Sequence, residues 1–173
     1  MNNAPVDMGG FSLASDAPLG QRNTLRVDAR AKLLAEVRDP TKLPELLAYP
    51  AVKNGRVLVL GEGSNLLIKG DFDGTVLAMA TRGVETFQRH DRVLIRVAAG
   101  ERWDDFVRWS LGQGYAGLEN LILIPGTVGA SPIQNIGAYG VEVSEFIDTV
   151  EAWDTHKGEF VVLDRAACAF SYR

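Results

Sequence analysis

GEGSN at residues 61–65 and PGTVGASPIQNIGAYG at residues 125–140 are the stretches on which the reading of this chain turns. A phosphate group needs several N–H donors converging on it, and only residues without a Cβ let the backbone approach closely and take positive φ. Gly126, Gly129, Gly137 and Gly140 meet that need within one short segment. Between them Thr127 and Ser131 offer hydroxyls, and Gln134 and Asn135 offer amides suited to a ribose, a phosphate or the edge of a base. Tyr139 adds a ring that stacks or hydrogen-bonds. Glycine count alone leaves a second reading open, in which these residues only make tight turns. Neither stretch is a P-loop, because no GK[ST] follows, and no GxGxxG opens a helix, so a Rossmann fold is not expected.

Outward from these stretches the chain alternates strand-like and helix-like segments. Asp39 is placed to cap a helix over 40–49, with Leu43, Leu46 and Leu47 on one face. Residues 56–60 (RVLVL) read as a buried strand running into GEGSN, 66–68 as its resumption and 76–79 as another strand. After a strand over 93–99, Gly100 leads into a helix over 101–113, where Trp103, Phe106, Val107 and Leu111 form a stripe and Gly114 suits the C′ position. Residues 147–154 and 159–163 flank His156, Lys157 and Gly158 as a β-hairpin. The fold class expected is α+β, with a loose N-terminal extension over 1–22 and two subdomains over 23–80 and 81–173.

Composition narrows the function classes. With 173 residues, 46% hydrophobic and 23% charged, the chain has the make-up of an ordinary globular protein. A net charge of −4 and the lack of any Lys/Arg cluster argue against a nucleic-acid partner. A diphosphate needs no such surface, since backbone N–H groups hold it. Cys168 is the only cysteine; it is read as a small packing residue near Ala166, Ala167 and Phe170. His90 and His156 are far apart, so no metal site is expected. The first twenty residues lack the basic start and apolar run of a signal peptide, and no segment approaches the ~20 apolar residues of a membrane span. A cytoplasmic location without membrane contact is the default.

The two stretches together, with Gly117, Leu118, Glu119, Asn120 and Leu121 ahead of the second and Tyr172-Arg173 at the end, strongly resemble the MurB family, the UDP-N-acetylenolpyruvoylglucosamine reductases of bacterial peptidoglycan synthesis. The resemblance runs from about residue 23 to residue 173. It implies an FAD-binding domain of the vanillyl-alcohol-oxidase-like (PCMH) type, two α+β subdomains with the flavin between them. It further implies that Gly61, Gly63, Ser64, Asn65, Gly126, Val128, Gly129 and Ala130 hold the FAD diphosphate, with Glu62 and Pro125 also binding the cofactor, and that Gln134, Asn135, Gly137 and Tyr139 continue along the flavin. The family's NTF-G-like opening element departs here to Asn23, Thr24, Leu25 and Arg26, which leaves the role of that turn open.

The reaction implied is a two-stage relay: NADPH reduces FAD, and hydride then passes to the vinyl carbon of UDP-N-acetylglucosamine enolpyruvate, giving UDP-N-acetylmuramate. Negative charge develops on the substrate carboxylate, which calls for a permanent cation. Arg173 matches the family's catalytic arginine and Tyr172 its pocket neighbour. The family's proton-donating serine and assisting glutamate belong to a C-terminal substrate domain absent from this sequence, which is read as part of a longer, monomeric enzyme. The partner expected is a nucleotide-sugar. The alternatives are another FAD oxidoreductase of the same fold or a flavin-binding module without turnover. Asp104 and Asp105 are read as a solvated helix face, whereas Glu119 and Glu142 are placed to orient loops.

Overall fold

The computed structural model describes residues 4–172 and divides the chain into two compact units, residues 1–101 and 102–173. The first is built on a five-stranded sheet. Its strands are β1 (Val6–Asp7), β2 (Phe11–Pro18) and β3 (Arg30–Val37), then, after the short helices α1 (Leu43–Ala48) and α2 (Pro50–Lys53), β4 (Val57–Leu60) and β5 (Phe72–Met79). The spatial order is β1-β2-β3-β5-β4. β2 runs antiparallel to β3, while β3, β5 and β4 run parallel to one another.

The order explains the burial. β3 and β5 are central strands covered on both faces, and each accordingly carries a near-continuous apolar run, LLAEV and TVLAM. Ala14, Ala17, Leu19, Ala31, Leu34, Leu60 and Val76 form a buried cluster, joined by Leu58, Ile68 and Phe72. Asp39 caps the turn before α1 through its side chain and the Thr41 N–H, as its position predicts. α1 and α2 bury Leu43, Leu46 and Val52.

Three expectations are corrected here. Residues 6–18 are not a loose extension: β2 lies inside the sheet, with Phe11 1% and Ala17 3% exposed. β4 is not a buried strand but an edge strand, with Val57 42% and Val59 66% exposed. An apolar run of four residues looks the same in both settings. Residues 66–68 form no strand. The first unit also holds a separate hairpin, β6 (Val84–Arg89) against β7 (Arg92–Val97). β7 is the strand expected over 93–99; β6, VETFQR, is polar enough to have passed unread.

The second unit starts with α3 (Trp103–Gly112), which buries Trp103, Phe106 and Val107 and ends at Gln113, with Gly114 in the left-handed region at C′. Trp103 and Phe106 meet edge to face, and Phe106, Trp109 and Tyr115 continue the aromatic row. Two hairpins follow, β8 (Gly137–Ala138) with β9 (Val141–Glu142), and β10 (Thr149–Asp154) with β11 (Glu159–Asp164). The second of these is the hairpin the sequence predicts. Cys168 is half-buried rather than packed in a core.

Candidate functional site

In the first unit the parallel strands deliver their carboxyl ends to one edge of the sheet, since Val37 pairs with Met79 and Leu60 with Ala78. Loops leaving the carboxyl ends of parallel strands are where such sheets place their ligands. GEGSN leaves from β4 at that edge. Gly63 is buried with φ +66°, and a Cβ there would lie 2.2 Å from the Arg22 carbonyl oxygen. Only glycine fits against that neighbouring loop. Ser64 and Asn65 stand exposed, while Gly61 and Glu62 are half-buried.

The neighbouring loop is the one whose role the sequence left open. Asn23 is 3% exposed, and its side chain closes the turn in both directions. Its amide donates to the carbonyls of Leu19 (2.8 Å) and Val27 (3.1 Å), and its oxygen accepts from the Val27 N–H (2.9 Å). Thr24 donates its N–H to the Gly63 carbonyl at 3.4 Å. The element that departs from the family wording thus supports the GEGSN turn from behind. After β5, Thr81 is buried and accepts from the Gly100 N–H, and Glu101 accepts from the Gly83 N–H. The loop that leaves β5 is fixed in this way. At the opposite end of the sheet, a depression lined by Asp16, Arg30, Lys32, Asp71 and Asp73 has Arg30 paired with Asp16 and Lys32 with Asp73, while Asp71 accepts from the Arg30 backbone N–H.

In the second unit the first turn of α3 clamps the approach to the long glycine segment. The Trp103 N–H donates to the Gly126 carbonyl at 2.9 Å, and the Trp103 indole Nε1–H donates to the Leu121 carbonyl at 2.8 Å. The Asp104 carboxylate accepts from the Leu123 N–H and from Arg108 Nε, both at 2.9 Å. Leu123 has φ +66°, a conformation a leucine holds only when its surroundings impose it. Asp104 is therefore more than a solvated residue. The hydrogen bond from Arg108, then that from Leu123, holds its carboxyl below the ordinary aspartate range.

The segment that follows is a 3-10 turn, Val128–Ala130. Ala130 donates its N–H back to Thr127, and Ser131 donates both its N–H and its hydroxyl to Val128. The N–H groups of Val128 and Gly129 stand at the head of this turn. Gly129 and Gln134 are exposed, and Pro125 with them; Gly126 is half-buried. Tyr139 and Gly140, φ +53° and +80°, make the two-residue turn between β8, which begins at Gly137, and β9. Positive φ at both central positions is the mark of a type I′ hairpin. Tyr139 is 88% exposed.

Asn135 differs from its neighbours. It is 5% exposed with φ +44°. Its amide donates to Glu142 Oε2 (2.5 Å) and to the Ser171 carbonyl (3.1 Å), and its oxygen accepts from the Ser144 N–H (3.1 Å). The side chain points into the unit and not outward. Glu142 and Glu145 form a capping box at the next turn, and Glu119 accepts from the Gly117 N–H, so both Glu119 and Glu142 orient loops as expected. Tyr172, next to Ser171, is 77% exposed. Arg173 lies outside the described residues. Of the residues that matter here, Asn23, Trp103 and Asp104 were missed as site supports. A buried Asn beside a glycine-rich turn carries no signature until its partners are known.

Each glycine-bent loop, taken by itself, offers backbone N–H groups and short polar side chains of the kind that bind a phosphate. Among the described residues no group of three or more His, Cys, Asp or Glu is arranged to hold a metal ion, and no helix is long and apolar enough to cross a membrane.

The chain is 50% identical over 165 residues to a UDP-N-acetylenolpyruvoylglucosamine reductase of Xanthomonas oryzae pv. oryzae (strain PXO99A), a match covering 95% of this chain and 47% of that protein. The chain thus spans about half the length of the curated relatives it matches. Its fold resembles the crystal structure of UDP-N-acetylenolpyruvylglucosamine reductase (MurB) from Thermus caldophilus, with TM-score 0.73 and 25% identity, covering 94% of this chain and 55% of that one. CrmK, a flavoenzyme of caerulomycin biosynthesis, shares the fold at TM-score 0.63 and 15% identity, over 90% of this chain and 34% of its own. The expected α+β flavoprotein fold is borne out. Residues 31–164 match the FAD binding domain model, and the chain belongs to that family.

Proposed function

We propose that this chain is the flavin-binding portion of a UDP-N-acetylenolpyruvoylglucosamine reductase, a cytoplasmic, monomeric enzyme that makes UDP-N-acetylmuramate with NADPH as hydride donor. The observation that carries the reading is 50% identity to such reductases over 95% of the chain, with both glycine-rich loops inside the matched stretch. When bound, FAD supplies a reversible acceptor for two electrons. Gly61, Gly63, Ser64 and Asn65, and likewise Gly126, Val128 and Gly129, are the residues that would hold its diphosphate by N–H and hydroxyl donors. Tyr139 and Gln134, both exposed, would serve its heterocycle.

Arg173 is assigned the substrate carboxylate. Hydride arriving at the vinyl carbon pushes an electron pair towards that carboxylate, and a guanidinium holds the resulting enediolate with two hydrogen bonds at any working pH. A proton then completes the neighbouring carbon. Tyr172 shapes the same pocket.

The purified chain is expected to show the visible absorbance of bound flavin, and a protein that takes up no FAD would sink the central claim. The enzyme at its relatives' length should oxidise NADPH beyond about one equivalent per flavin only when the enolpyruvyl substrate is present. In that enzyme Arg173→Lys should cut turnover about tenfold to a hundredfold with FAD still bound, because the fork is lost while the charge remains. Loss of FAD instead would overturn the role given to Arg173.

A further inference from the structure

We propose that Asn135 is a positioning residue that ties the glycine-rich segment to the chain at Ser171, and so sets where the chain departs towards Tyr172. The amide is surrounded by partners that define its orientation. Two acceptors, Glu142 Oε2 at 2.5 Å and the Ser171 carbonyl at 3.1 Å, face the nitrogen, and one donor, the Ser144 N–H at 3.1 Å, faces the oxygen. The reverse orientation would set oxygen against a carboxylate and a carbonyl. At 5% exposure, water does not replace these bonds.

Two of the three bonds are local, since Glu142 and Ser144 follow in the same hairpin and turn. The third reaches across 36 residues to the backbone one position before Tyr172. One side chain therefore links the loop assigned to the cofactor with the pair assigned to the substrate carboxylate. A contact to the cofactor is not needed to make Asn135 essential. The consequence for turnover rests on the proposed function above; the tether itself does not.

Paired variants separate the local role from the long-range one. Asn135→Asp keeps the Ser144 bond but sets a carboxylate against Glu142 and the Ser171 carbonyl. Adding Glu142→Gln restores the local bond, because the amide introduced at position 142 donates to the carboxylate introduced at position 135, and leaves the Ser171 link broken. We expect the double variant to recover the melting temperature and the Ser144 amide protection of the parent. Its Tyr172 amide should still exchange faster by hydrogen exchange, with FAD binding unchanged. Tyr172 exchange equal to the parent's in the double variant would overturn the tether, and so would loss of FAD binding with Ser144 protected, which would make Asn135 a cofactor contact. In the enzyme at its relatives' length, the double variant should lose kcat on the order of tenfold to a hundredfold, as a small misplacement of a reacting group does. KM for NADPH should not change. If the tether behaves as described but kcat is unaffected, the positioning role in catalysis fails. If the parent enzyme shows no reductase activity, the proposed function fails and the exchange result still decides the tether.

Discussion

The turn at residues 61–65 is held by backbone: a buried glycine, the carbonyl of Arg22 against it, and the ends of parallel strands beneath. The segment at 121–140 is held by side chains: an indole and a carboxylate from the first turn of α3, and one buried amide. Sheet geometry and the close approach of Gly63 to the Arg22 carbonyl fix the first loop, with Asn23 shaping the neighbouring turn. Among the described residues the sheets of the second unit are two-stranded hairpins, so polar side chains, including those of α3, take over the work of a scaffold. The two loops should therefore fail in different ways.

Gly63→Ala attacks the backbone solution. The added Cβ meets the Arg22 carbonyl oxygen at 2.2 Å in a left-handed conformation. The combined strain and overlap should cost roughly 2–5 kcal/mol in urea denaturation. A Gly63→Ala protein as stable as the parent would remove the steric account of this loop. Trp103→Phe attacks the side-chain solution while leaving an aromatic ring in the stripe. It strips the buried Leu121 carbonyl of its donor, which should cost about 1–3 kcal/mol. Hydrogen exchange should quicken over residues 121–127 and not over 61–65; equal quickening in both loops would erase the contrast.

Acid should produce the smallest effect, and only in the second loop. The Asp104 carboxyl sits below its ordinary value of 3.8, chiefly through the Arg108 bond and then the Leu123 N–H. A depressed folded-state value means the contribution is complete above the ordinary value and fades as pH falls through the lower one. Protection of the Leu123 amide should accordingly decline only below pH 3.8, and Asp104→Asn should flatten that decline. An unchanged pH profile in the Asn variant would show that another group governs it.

Legibility in the sequence followed the same division. Elements announced by periodicity were readable: the Trp103 stripe, the capped α1 turn, the final hairpin and the apolar run of β5. Burial was less readable, because RVLVL is apolar enough for a central strand and yet forms an edge. β2 escaped notice because FSLASDA mixes small and polar residues, and its burial comes from pairing with β3 and not from its own hydrophobicity. The loops themselves were visible through their glycines and their wording. Their supports were not, since Asn23, Asp104 and Asn135 act across distances of four to thirty-six residues on backbone groups that carry no sequence mark.

The position of β2 carries a lesson for handling the protein. A chain begun at residue 23, where the family wording starts, would lack β1 and β2 and lay bare one side of β3. That side is a row of unpaired N–H and C=O groups along LLAEV, free of proline. Such an edge is a template for strand addition from another molecule, so the shortened protein is expected to clump where the longer one stays dispersed. Residues that read as a loose extension are, in this fold, expected to guard it against aggregation.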